Sequence, residues 1–566
     1  MGFPLEIIEV DADVVVVGGG GAASRAALSA AQAGARVRLV TKVGLKAGGS
    51  TVHGASEIMS MGAAGFGDRA DSPQVHYEDT MRAGRGFIDP ELVRVLAEDA
   101  PARIRDLIAL GVPLDREAPD RYKLIKSDFG SYARALGVSG KTGKAFVAAL
   151  TDELLRLGVA VDANVALVDL LRDAQGAVAG VLGYDPARRA LVRYSAPSVI
   201  LGTGGVHGAY RQQVSTAEMT GDGQAICFRH GAELVNLEFH QIGPALIHPY
   251  VQLFSGSCFK LHPRLLNRDG EEFLARYVPQ GVDLAEVYDE KVFPFTVSNP
   301  SRYIEIAIAG EIDAGRGTDR GGVYLSFAHV APGRVEAGMP NTVGWLRSHG
   351  IHPERDRLEM GIAFQCMNGG VRMTDADAQS TIPGLYVIGE LAGGVRGPDR
   401  PGGNSLAEGQ VFGHRSGAAA ARRAAEVRPG RPATLDETLA TLSGFLGRGK
   451  AKADAGAIAA SARAVMQRDC LVEKTGERLR AALAHMEAAQ DELESGMALT
   501  ADSLVAGLSV RNMLTASRLL LAAGLNREET RSAHYRPDFP QASADLVCSF
   551  VARRSGDGVA FSKLTY

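Results

Sequence analysis

The sequence predicts a protein of the α/β class, and three observations support this prediction. A β-branched run, Val14 to Val17, precedes a glycine-rich turn and a small-residue segment, which is the pattern of a strand, a turn and a helix. A second apolar strand ends far along the chain at Gly389-Glu390, and another small-residue helix follows it. The 566 residues exceed what one hydrophobic core usually organises, so we expect several domains.

Composition excludes several classes of protein. Hydrophobic residues make up 46% of the chain and charged residues 22%, with a net charge of −4, so nothing indicates a nucleic-acid partner or disorder. Five cysteines are scattered without a C-x-x-C pair, which argues against a disulfide framework and against an iron–sulfur cluster held by this chain alone. The start of the chain has no basic segment before an apolar stretch, and no window resembles a membrane helix. We therefore expect a cytoplasmic protein without a membrane span.

The first motif has the spacing G-x-G-x-x-A, at Gly18, Gly20 and Ala23. Gly18 permits a sharp turn, Gly20 lets the backbone approach a pyrophosphate, and Ala23 lets the helix pack closely on the sheet. An alternating apolar strand at residues 37–40 completes a β-α-β unit, and the amides at the start of its helix can bind phosphates. A glycine-rich turn without a ligand is the alternative, but the β-α-β context favours a dinucleotide.

The second strand of this unit ends at Thr41-Lys42, where an acidic residue commonly holds a ribose hydroxyl. The threonine hydroxyl can still form a hydrogen bond at this point. The missing carboxylate weakens the case for a nicotinamide dinucleotide more than the case for a flavin dinucleotide.

A return segment for a long dinucleotide is found near residue 390. Glu390 follows a short apolar strand, and a carboxylate at the carboxyl end of a strand can accept hydrogen bonds from ribityl or ribose hydroxyls. The stretch Arg400-Pro-Gly-Gly-Asn404-Ser405-Leu406 then leads into a helix. The strand that ends at Glu390 and this helix start are the second feature of the sequence that indicates FAD.

Taken together, these motifs resemble those of the flavoprotein subunits of succinate dehydrogenase and fumarate reductase, with L-aspartate oxidase and the adenylylsulfate reductase α subunit. The resemblance covers most of the chain. Its anchors are Gly18 to Ala23, Thr203-Gly-Gly205, Thr220-Gly-Asp222-Gly223, Glu238-Phe-His240, Gly315-Arg-Gly317, Gly384 to Glu390, Gly402 to Leu406, and Arg531-Ser-Ala-His534-Tyr-Arg536-Pro-Asp538-Phe-Pro.

The family implies a Rossmann-like, two-part FAD-binding domain with an inserted α+β capping domain and a C-terminal helical domain. We place the FAD-binding domain at residues 1–240 and 350–425, the cap at 241–349, the helical domain at 430–530 and a tail at 531–566. The pattern agrees, since residues 241–349 are irregular and rich in proline. Beyond residue 430, apolar residues at helical spacing indicate core packing: Leu479, Leu483, Met486 and Leu493, then Leu504 and Leu508.

The motifs and the resemblance together imply a set of cofactor-binding residues. The helix that starts near Asn404 would direct its N-terminus at the flavin N1 and O2 edge, where negative charge appears on reduction. A helix cap without a flavin is the alternative for this stretch. The predicted cofactor-binding residues are Gly18, Gly20, Ala23, Thr41, Lys42, Ser50, Thr51, Gly204, Asp222, Glu390, Asn404, Ser405 and Leu406.

The resemblance also implies catalytic residues. Arg400 resembles the arginine that binds a substrate carboxylate, a task suited to a planar, permanently charged group, with a surface salt bridge as the alternative. His240 stands in a phrase where the respiratory enzymes have a substrate-binding histidine, and a buried core histidine is the alternative. Arg302 is nearest to the family's proton-transferring arginine, one residue out of register, while flavin N5 exchanges the hydride.

Three departures from the family bear on the substrate and the flavin. Gln365 stands where the succinate enzymes have a second histidine, and Gly256 and Phe259 occupy the positions of a glutamate and an arginine. We therefore expect a substrate with one bound anionic group and a far end that is poorly bound or uncharged, although Lys260 offers a neighbouring cation. Ser50 stands where respiratory members attach FAD through a histidine, and the loop from Gly54 to Gly62 is closer to the adenylylsulfate reductase loop. We therefore expect noncovalent FAD, with His53 as the alternative attachment point.

These features predict an FAD-dependent dehydrogenase or reductase that acts on a small anionic substrate, an organic acid other than succinate or fumarate. An adenylylsulfate-reductase-like flavoprotein that acts on a sulfur oxyanion is one alternative, and a non-catalytic flavin-binding subunit is another. Because the chain lacks cluster-binding cysteines, electrons would pass to a separate iron–sulfur or ferredoxin-like protein, to a soluble acceptor or to oxygen.

Overall fold

The computed structural model describes residues 5–54, 56–57, 59–449 and 452–566. The first four residues of the N-terminal segment, and residues 55 and 58 of the loop compared with adenylylsulfate reductase, lie outside the described residues.

Residues 5–239 alternate strands with helices. The strands are β1 (Ile7–Asp11), β2 (Val14–Val17), β3 (Val37–Thr41), β4 (Ser60–Gly62), β5 (Arg116–Ala118), β6 (Arg121–Tyr122), β7 (Leu124–Ile125), β8 (Ala135–Gly137), β9 (Ala160–Ala163), β10 (Ala166–Arg172), β11 (Val178–Asp185), β12 (Ala190–Ser195), β13 (Ser198–Leu201) and β14 (Leu234–Val235). The helices are α1 (Gly21–Gln32), α2 (Ser50–His53), α3 (Pro73–Gly84), α4 (Pro90–Ala109), α5 (Thr142–Arg156) and α6 (Asp222–Arg229).

The remainder of the chain forms a second mixed region and then a helical one. Its strands are β15 (His240–Leu246), β16 (Gln252–Leu253), β17 (Arg264–Leu266), β18 (Val323–Ser326), β19 (Leu358–Met367), β20 (Gly370–Arg372), β21 (Leu385–Val387), β22 (Ala392–Gly393), β23 (Ser549–Ser555) and β24 (Gly558–Leu564). Its helices are α7 (Gly256–Phe259), α8 (Leu284–Asp289), α9 (Arg302–Asp313), α10 (Pro332–Gly338), α11 (Pro340–Ser348), α12 (Asn404–Glu426), α13 (Leu435–Leu446), α14 (Ala455–Asp469), α15 (Gly476–Gly496) and α16 (Leu504–Asn526).

A parallel sheet with the strand order β21-β13-β2-β3-β9 forms the centre of the FAD-binding domain. Strand β2 is fully buried, as its run of four valines predicts, and β3 begins at Val37. Strand β21 comes from the distant segment near residue 385 and pairs beside β13, so the two predicted halves meet in one sheet. The α/β prediction is confirmed.

Helices α1 and α12 pack unusually closely on this sheet. Three glycines of α12, spaced four residues apart, face α1: Gly409, Gly413 and Gly417. A Cβ atom on Gly413 would lie 2.6 Å from the carbonyl oxygen of Ala22, and one on Gly417 would lie 2.3 Å from that of Ala26. A side chain at either position would therefore separate the two helices. This contact brings the N-termini of both helices to the same edge of the sheet.

The cap contains the antiparallel sheet β16-β15-β19-β18-β17. Strand β19 pairs with β15 from His240 to Leu246 and with β18 from Val323 to Leu325. Strand β19 lies beyond the expected boundary at residue 350, and it is buried along most of its length.

The helical region and the tail complete the fold. Leu479, Met486 and Leu493 of α15 are buried, Leu483 is half-buried, and Leu504 and Leu508 of α16 are buried, which agrees with the predicted core packing. The tail strands β23 and β24 extend the sheet β22-β20-β14. Among the residues that the structure describes, every helix is too short or too polar to span a bilayer.

Candidate active site

A cavity of about 520 Å³ opens at the carboxyl-terminal edge of the parallel sheet. The turns after β2, β3, β13 and β21 all contribute to its wall, which is where open α/β sheets bind their ligands. Its volume lies within the range of small-molecule sites, about 300 to 1,000 Å³. The predicted residues on the cavity wall are Gly18, Gly20, Thr41, Lys42, Ser50, Thr51, Gly204, Asp222, Gln365, Glu390, Arg400, Ser405 and Leu406.

The glycine-rich turn forms one end of the cavity. Gly18 has a φ of +128°, and a Cβ atom there would lie 2.2 Å from the carbonyl oxygen of Gly202 and 3.3 Å from the Cβ of Ala23. Gly20 is the N-cap of α1 with an ordinary φ of −78°, and a Cβ atom there would meet only Thr51 Oγ1, at 3.6 Å. Gly18 is therefore required by packing, whereas the space beside Gly20 belongs to the cavity.

Lys42 is neutralised by the protein. Its Nζ donates to Asp222 Oδ2 at 2.8 Å and to Ser509 Oγ at 2.7 Å, and Asn512 Nδ2 donates to Asp222 Oδ1 at 2.9 Å. The Thr41 hydroxyl donates to the carbonyl of Val43. The end of β3 is thus tied to α6 and to α16 of the helical region, a link between distant segments that the sequence does not reveal.

Glu390 lies at the centre of the cavity wall, after β21. Its Oε1 accepts a hydrogen bond from the backbone N–H of Met367 at 3.0 Å, and its Oε2 accepts one from Ser50 Oγ at 3.3 Å. The buried ring of His207 lies behind it, with Nδ1 3.6 Å from Oε1. The carboxylate is held in place but retains lone pairs for cofactor hydroxyls.

The start of α12 also reaches the cavity, through Ser405 and Leu406. Ser405 Oγ is buried and has no hydrogen-bond partner among the described residues. Asn404 differs from the expectation that it contacts the flavin, because its side chain is buried off the cavity wall. Its Oδ1 accepts from His76 Nε2 at 2.9 Å and its Nδ2 donates to Thr80 Oγ1 at 3.0 Å, which anchors the helix start to α3.

Arg400 lies in the cavity wall and is held by a residue that the sequence does not single out. Gln241 Oε1 accepts from Nε at 3.0 Å and from Nη2 at 2.7 Å, while Nη1 donates to the carbonyl of Pro401 at 3.0 Å. Since a guanidinium has five N–H donors, two remain for a ligand. Gln365 Oε1 and Gln241 Nε2 are buried, and neither has a hydrogen-bond partner in the part of the chain that the structure describes. Burial lowers the pKa of Arg400, although an arginine remains charged at neutral pH.

His240 is not on the cavity wall, so its predicted role as a residue that orients the substrate has no support from the position of its ring. Its ring is 1% exposed and packs against the rings of Tyr210 and Phe364. Burial lowers its pKa well below the usual value, so the ring is neutral. Alternation along β15 points Gln241, and not His240, towards Arg400.

Arg302 is also absent from the cavity wall, which does not fit a proton-transferring role. As the first residue of α9, it directs its guanidinium back to the carbonyl of Val297 and to the Tyr303 hydroxyl, 3.0 Å from Nη2. The guanidinium also stacks over the Tyr303 ring, 4.9 Å from its centroid. The Arg302 guanidinium therefore contacts residues of its own segment.

The cap end of the cavity has charged side chains beside apolar ones such as Phe254 and Phe293. Phe259 is fully buried and does not reach the cavity, whereas Lys260 beside it does. Lys126 and Asp128 join the wall from a loop of the FAD-binding domain. Asp128 Oδ2 accepts a hydrogen bond from the Phe293 backbone N–H at 3.0 Å, and burial raises the pKa of this carboxyl.

Sequence reasoning misses Gln241, Lys126, Asp128 and Lys291 as residues at this site. The stretch Lys126-Ser-Asp128 lies in an irregular loop that carries no motif. Gln241 directly follows His240, the residue that the family resemblance singles out. The signal that could find Gln241 is the period of two along a strand, which separates neighbouring side chains onto opposite faces.

The cavity fits the FAD that the sequence predicts. Its length runs from the glycine-rich turn to the start of α12, and it has a place without side chains beside Gly20. The hydroxyls of Thr203 and Ser405 are cavity-wall groups, buried without partners in the protein, that a ligand would satisfy.

We expect this FAD to be released into the supernatant when the protein is precipitated with acid. His53, the alternative attachment point, is exposed, lies off the cavity wall, and donates through Nε2 to the carbonyl oxygen of Ala47 at 2.7 Å. Ser50, which does line the cavity, has no ring nitrogen to form a histidyl link. The measurement is flavin fluorescence in the supernatant and in the denatured pellet, and flavin that stays with the pellet would contradict the expectation.

Known proteins share both the sequence features and the fold of this chain. A model of the FAD binding domain matches residues 13–406, and a model of the fumarate reductase flavoprotein C-terminus matches residues 460–560. The chain is 31% identical over 501 residues to a fumarate reductase (CoM/CoB) subunit from Methanothermobacter marburgensis, covering 86% of this chain and 87% of that one. It is 34% identical over 535 residues to L-aspartate oxidase from Caulobacter vibrioides, covering 93% of both. The solved structure of Mycobacterium smegmatis Sdh1 in complex with UQ1 matches with a TM-score of 0.84 and 26% identity, covering 99% of this chain and 95% of that one.

Proposed function

Because this chain belongs to the family of FAD-dependent oxidoreductases that contains the fumarate reductase flavoprotein and L-aspartate oxidase, we propose that it oxidises or reduces a small organic acid whose carboxylate Arg400 binds. FAD is its cofactor, and it is an oxidoreductase. The noncovalent mode of FAD binding and the choice of substrate are part of the proposal.

The observation that carries the proposal is the charge of Arg400. The side chain is buried, and its hydrogen-bond acceptors within the described residues are a neutral amide and a carbonyl, with no carboxylate among them. Glu408 acts on Arg400 through its charge but forms no hydrogen bond with it. A buried charge without a directly bonded counter-charge is costly, so a site that retains one is suited to an anionic ligand. The two remaining N–H donors match the two oxygens of a carboxylate.

The chain's own residues bind and orient the substrate. FAD, when bound, supplies the two-electron carrier that exchanges a hydride with a substrate carbon. Arg400 holds the carboxylate, and the unpartnered Gln365 Oε1 can accept a hydrogen bond from a neutral donor group of the substrate. Asp128 is one of the carboxyls on the cavity wall, and because burial raises the pKa of Asp128, it can hold the accompanying proton.

Succinate and fumarate are disfavoured as substrates. Gln365 offers a neutral amide where the second carboxylate of these acids would need a charged partner. Losing one charged hydrogen-bonding partner weakens binding by about tenfold to 150-fold.

An external electron partner completes the proposal. The five cysteines are unpaired and scattered, and no group of three or more histidine, cysteine, aspartate or glutamate side chains within the described ranges could hold a metal ion. A separate iron–sulfur or ferredoxin-like protein, a soluble acceptor or oxygen would exchange electrons with the flavin.

The proposal is tested by anaerobic titration of the purified holoprotein. We expect at least one organic acid in a panel of hydroxy, amino, saturated and unsaturated acids to bleach the flavin absorbance near 450 nm, or to reoxidise flavin reduced with dithionite. Succinate and fumarate are included for comparison and are expected to act weakly. A flavin that no organic acid reduces or reoxidises, while a sulfur oxyanion does so, would replace this proposal with the adenylylsulfate-reductase-like alternative.

A further inference from the structure

Gln241 holds Arg400 in place, and it does so with a neutral group. Gln241 Oε1 accepts hydrogen bonds from Arg400 Nε at 3.0 Å and from Arg400 Nη2 at 2.7 Å, and both side chains are buried. A glutamate side chain has the same shape as glutamine, and carboxylates form strong paired hydrogen bonds with a guanidinium. The Gln241 amide therefore supplies the geometry of an ion pair without its negative charge.

The hydrogen bonds of Arg400 also determine which of its donors remain. Nε and Nη2 lie along one edge of the planar guanidinium, and Gln241 occupies this edge. Nη1 donates to the carbonyl oxygen of Pro401 at 3.0 Å. One N–H on Nη1 and one on Nη2 are left, at the end of the guanidinium. A carboxylate can bind this end with both of its oxygens.

A third contact fixes the orientation of the Gln241 amide. Cys366 of β19 pairs with Gln241 of β15, and Cys366 Sγ donates to Gln241 Oε1 at 3.3 Å. Burial raises the pKa of the Cys366 thiol to about 11, so the thiol is a neutral donor at neutral pH. Because Arg400 and Cys366 both donate, the oxygen of the amide must face them, and not its nitrogen.

The carboxylates near Arg400 bond to other groups. Glu408 acts on Arg400 through its charge, but its carboxylate lies 2.9 Å from Arg396 Nε and forms no hydrogen bond with Arg400. Burial raises the pKa of Glu408 to about 7, which reduces its negative charge at neutral pH, and the charge of Arg396 opposes that of Glu408. Glu390 also lines the cavity, and its carboxylate bonds to a backbone N–H and a serine hydroxyl.

We propose that Gln241 is a positioning residue for substrate binding, whose neutral amide fixes Arg400 so that the end of the guanidinium and its positive charge face the substrate carboxylate. This inference rests on the proposed function of Arg400. A carboxylate at position 241 would compete with the substrate for the same charge, and an apolar side chain would leave the guanidinium free to turn. The neutral amide makes the site both ordered and selective for an anionic group.

The test is Gln241→Glu in the FAD-loaded protein, which replaces one amide nitrogen by oxygen. The probes are propionate and propionamide, which share a shape and differ in charge. Dissociation constants come from flavin difference spectra and calorimetry, so no turnover is needed. We expect the wild type to bind propionate at least about tenfold more tightly than propionamide. Gln241→Glu should weaken propionate binding about tenfold or more and leave propionamide binding within about twofold of the wild type.

Gln241→Met is the second variant, because it removes the amide without adding a charge. It should weaken propionate binding about twofold to tenfold and retain a preference for propionate over propionamide. The control is Gln175→Glu, which makes the same change in net charge at an exposed residue off the cavity wall. It should bind both probes as the wild type does, and FAD content should be equal in all variants.

The inference is overturned if the wild type shows no preference for propionate, or if Gln241→Glu binds propionate as tightly as the wild type. Equal weakening of both probes, or loss of FAD, in Gln241→Glu would also overturn it, because a general disturbance of the cavity affects both probes. If Gln241→Glu does not fold, Gln241→Met decides, and wild-type affinity for propionate in that variant overturns the inference. Failure of the proposed function looks different, since Arg400→Ala would then bind propionate as the wild type does.

Discussion

Gly20→Val is expected to yield a folded protein that contains no FAD. The φ of Gly20, −78°, suits any residue, and the only atom that a Cβ would meet is Thr51 Oγ1, at 3.6 Å. The valine side chain would instead fill the space where α1 presents its first amides to the cavity. Overpacking of this kind costs about 1 to 3 kcal/mol and more where nothing can move, so we expect FAD affinity to fall about 100-fold or more.

The measurement is the ratio of flavin to protein absorbance after purification, with circular dichroism to confirm folding. Gly444→Val is the matched control, because Gly444 lies in α13 with nothing within 4 Å of an added Cβ atom. Gly18→Ala provides a contrast, since its φ of +128° and the 2.2 Å contact with Gly202 should destabilise the fold itself. Full FAD occupancy in Gly20→Val would show that this turn does not hold the pyrophosphate.

Arg400→Ala is expected to retain FAD and to lose substrate binding. The substitution removes the two donors left for a carboxylate and leaves Gln241 Oε1 with only the hydrogen bond from Cys366 Sγ. Loss of a charged hydrogen-bonding partner weakens binding by about tenfold to 150-fold for every carboxylate ligand. Dissociation constants from flavin difference spectra, for the acid that bleaches the flavin and for unreactive analogues, check the expected loss.

Arg400→Lys and Arg211→Ala complete this experiment. The lysine variant keeps the charge but loses the planar pair of donors, so binding should recover only in part. Arg211 is exposed and lies off the cavity wall, so its removal should change nothing. If the best ligand binds Arg400→Ala as it binds the wild type, the carboxylate site is somewhere else in the cavity.

The parallel sheet and the glycine-rich turn after β2 could be predicted because the residues that specify them are neighbours in the sequence. Each signal depends on a few neighbouring residues: four consecutive valines, a glycine where φ must be positive, and a small residue where the helix meets the sheet. The return strand after residue 383 and the helix start near Asn404 carry similar short-range signals. The domain architecture followed from the family resemblance rather than from these patterns.

The side chains of His240 and Arg302 do not line the cavity, and the physical reason is their direction. A residue can stand in the expected phrase while its side chain points away from the cavity. Because side chains alternate along β15, His240 points into the core and Gln241 points to Arg400. Arg302, in the first turn of α9, points back to Val297. Sequence position alone does not determine which face of a strand or turn meets a ligand.

The sequence by itself determined the fold class and FAD as the cofactor, because the strand, turn and helix signals depend on contiguous residues with strong local preferences. The phosphate-binding role of the first turn stays a prediction, and so does Arg400 as the carboxylate-binding residue, which follows from the family resemblance. Only the tertiary structure decided which charges remain unpaired. Lys42 finds Asp222, and Lys291 finds Glu305, through the folding of the chain, whereas Lys126 and Lys260 find no such partner within the described residues. Electrostatic pairing acts through space over a few ångströms, so it is a property of the folded arrangement and not of the order of residues.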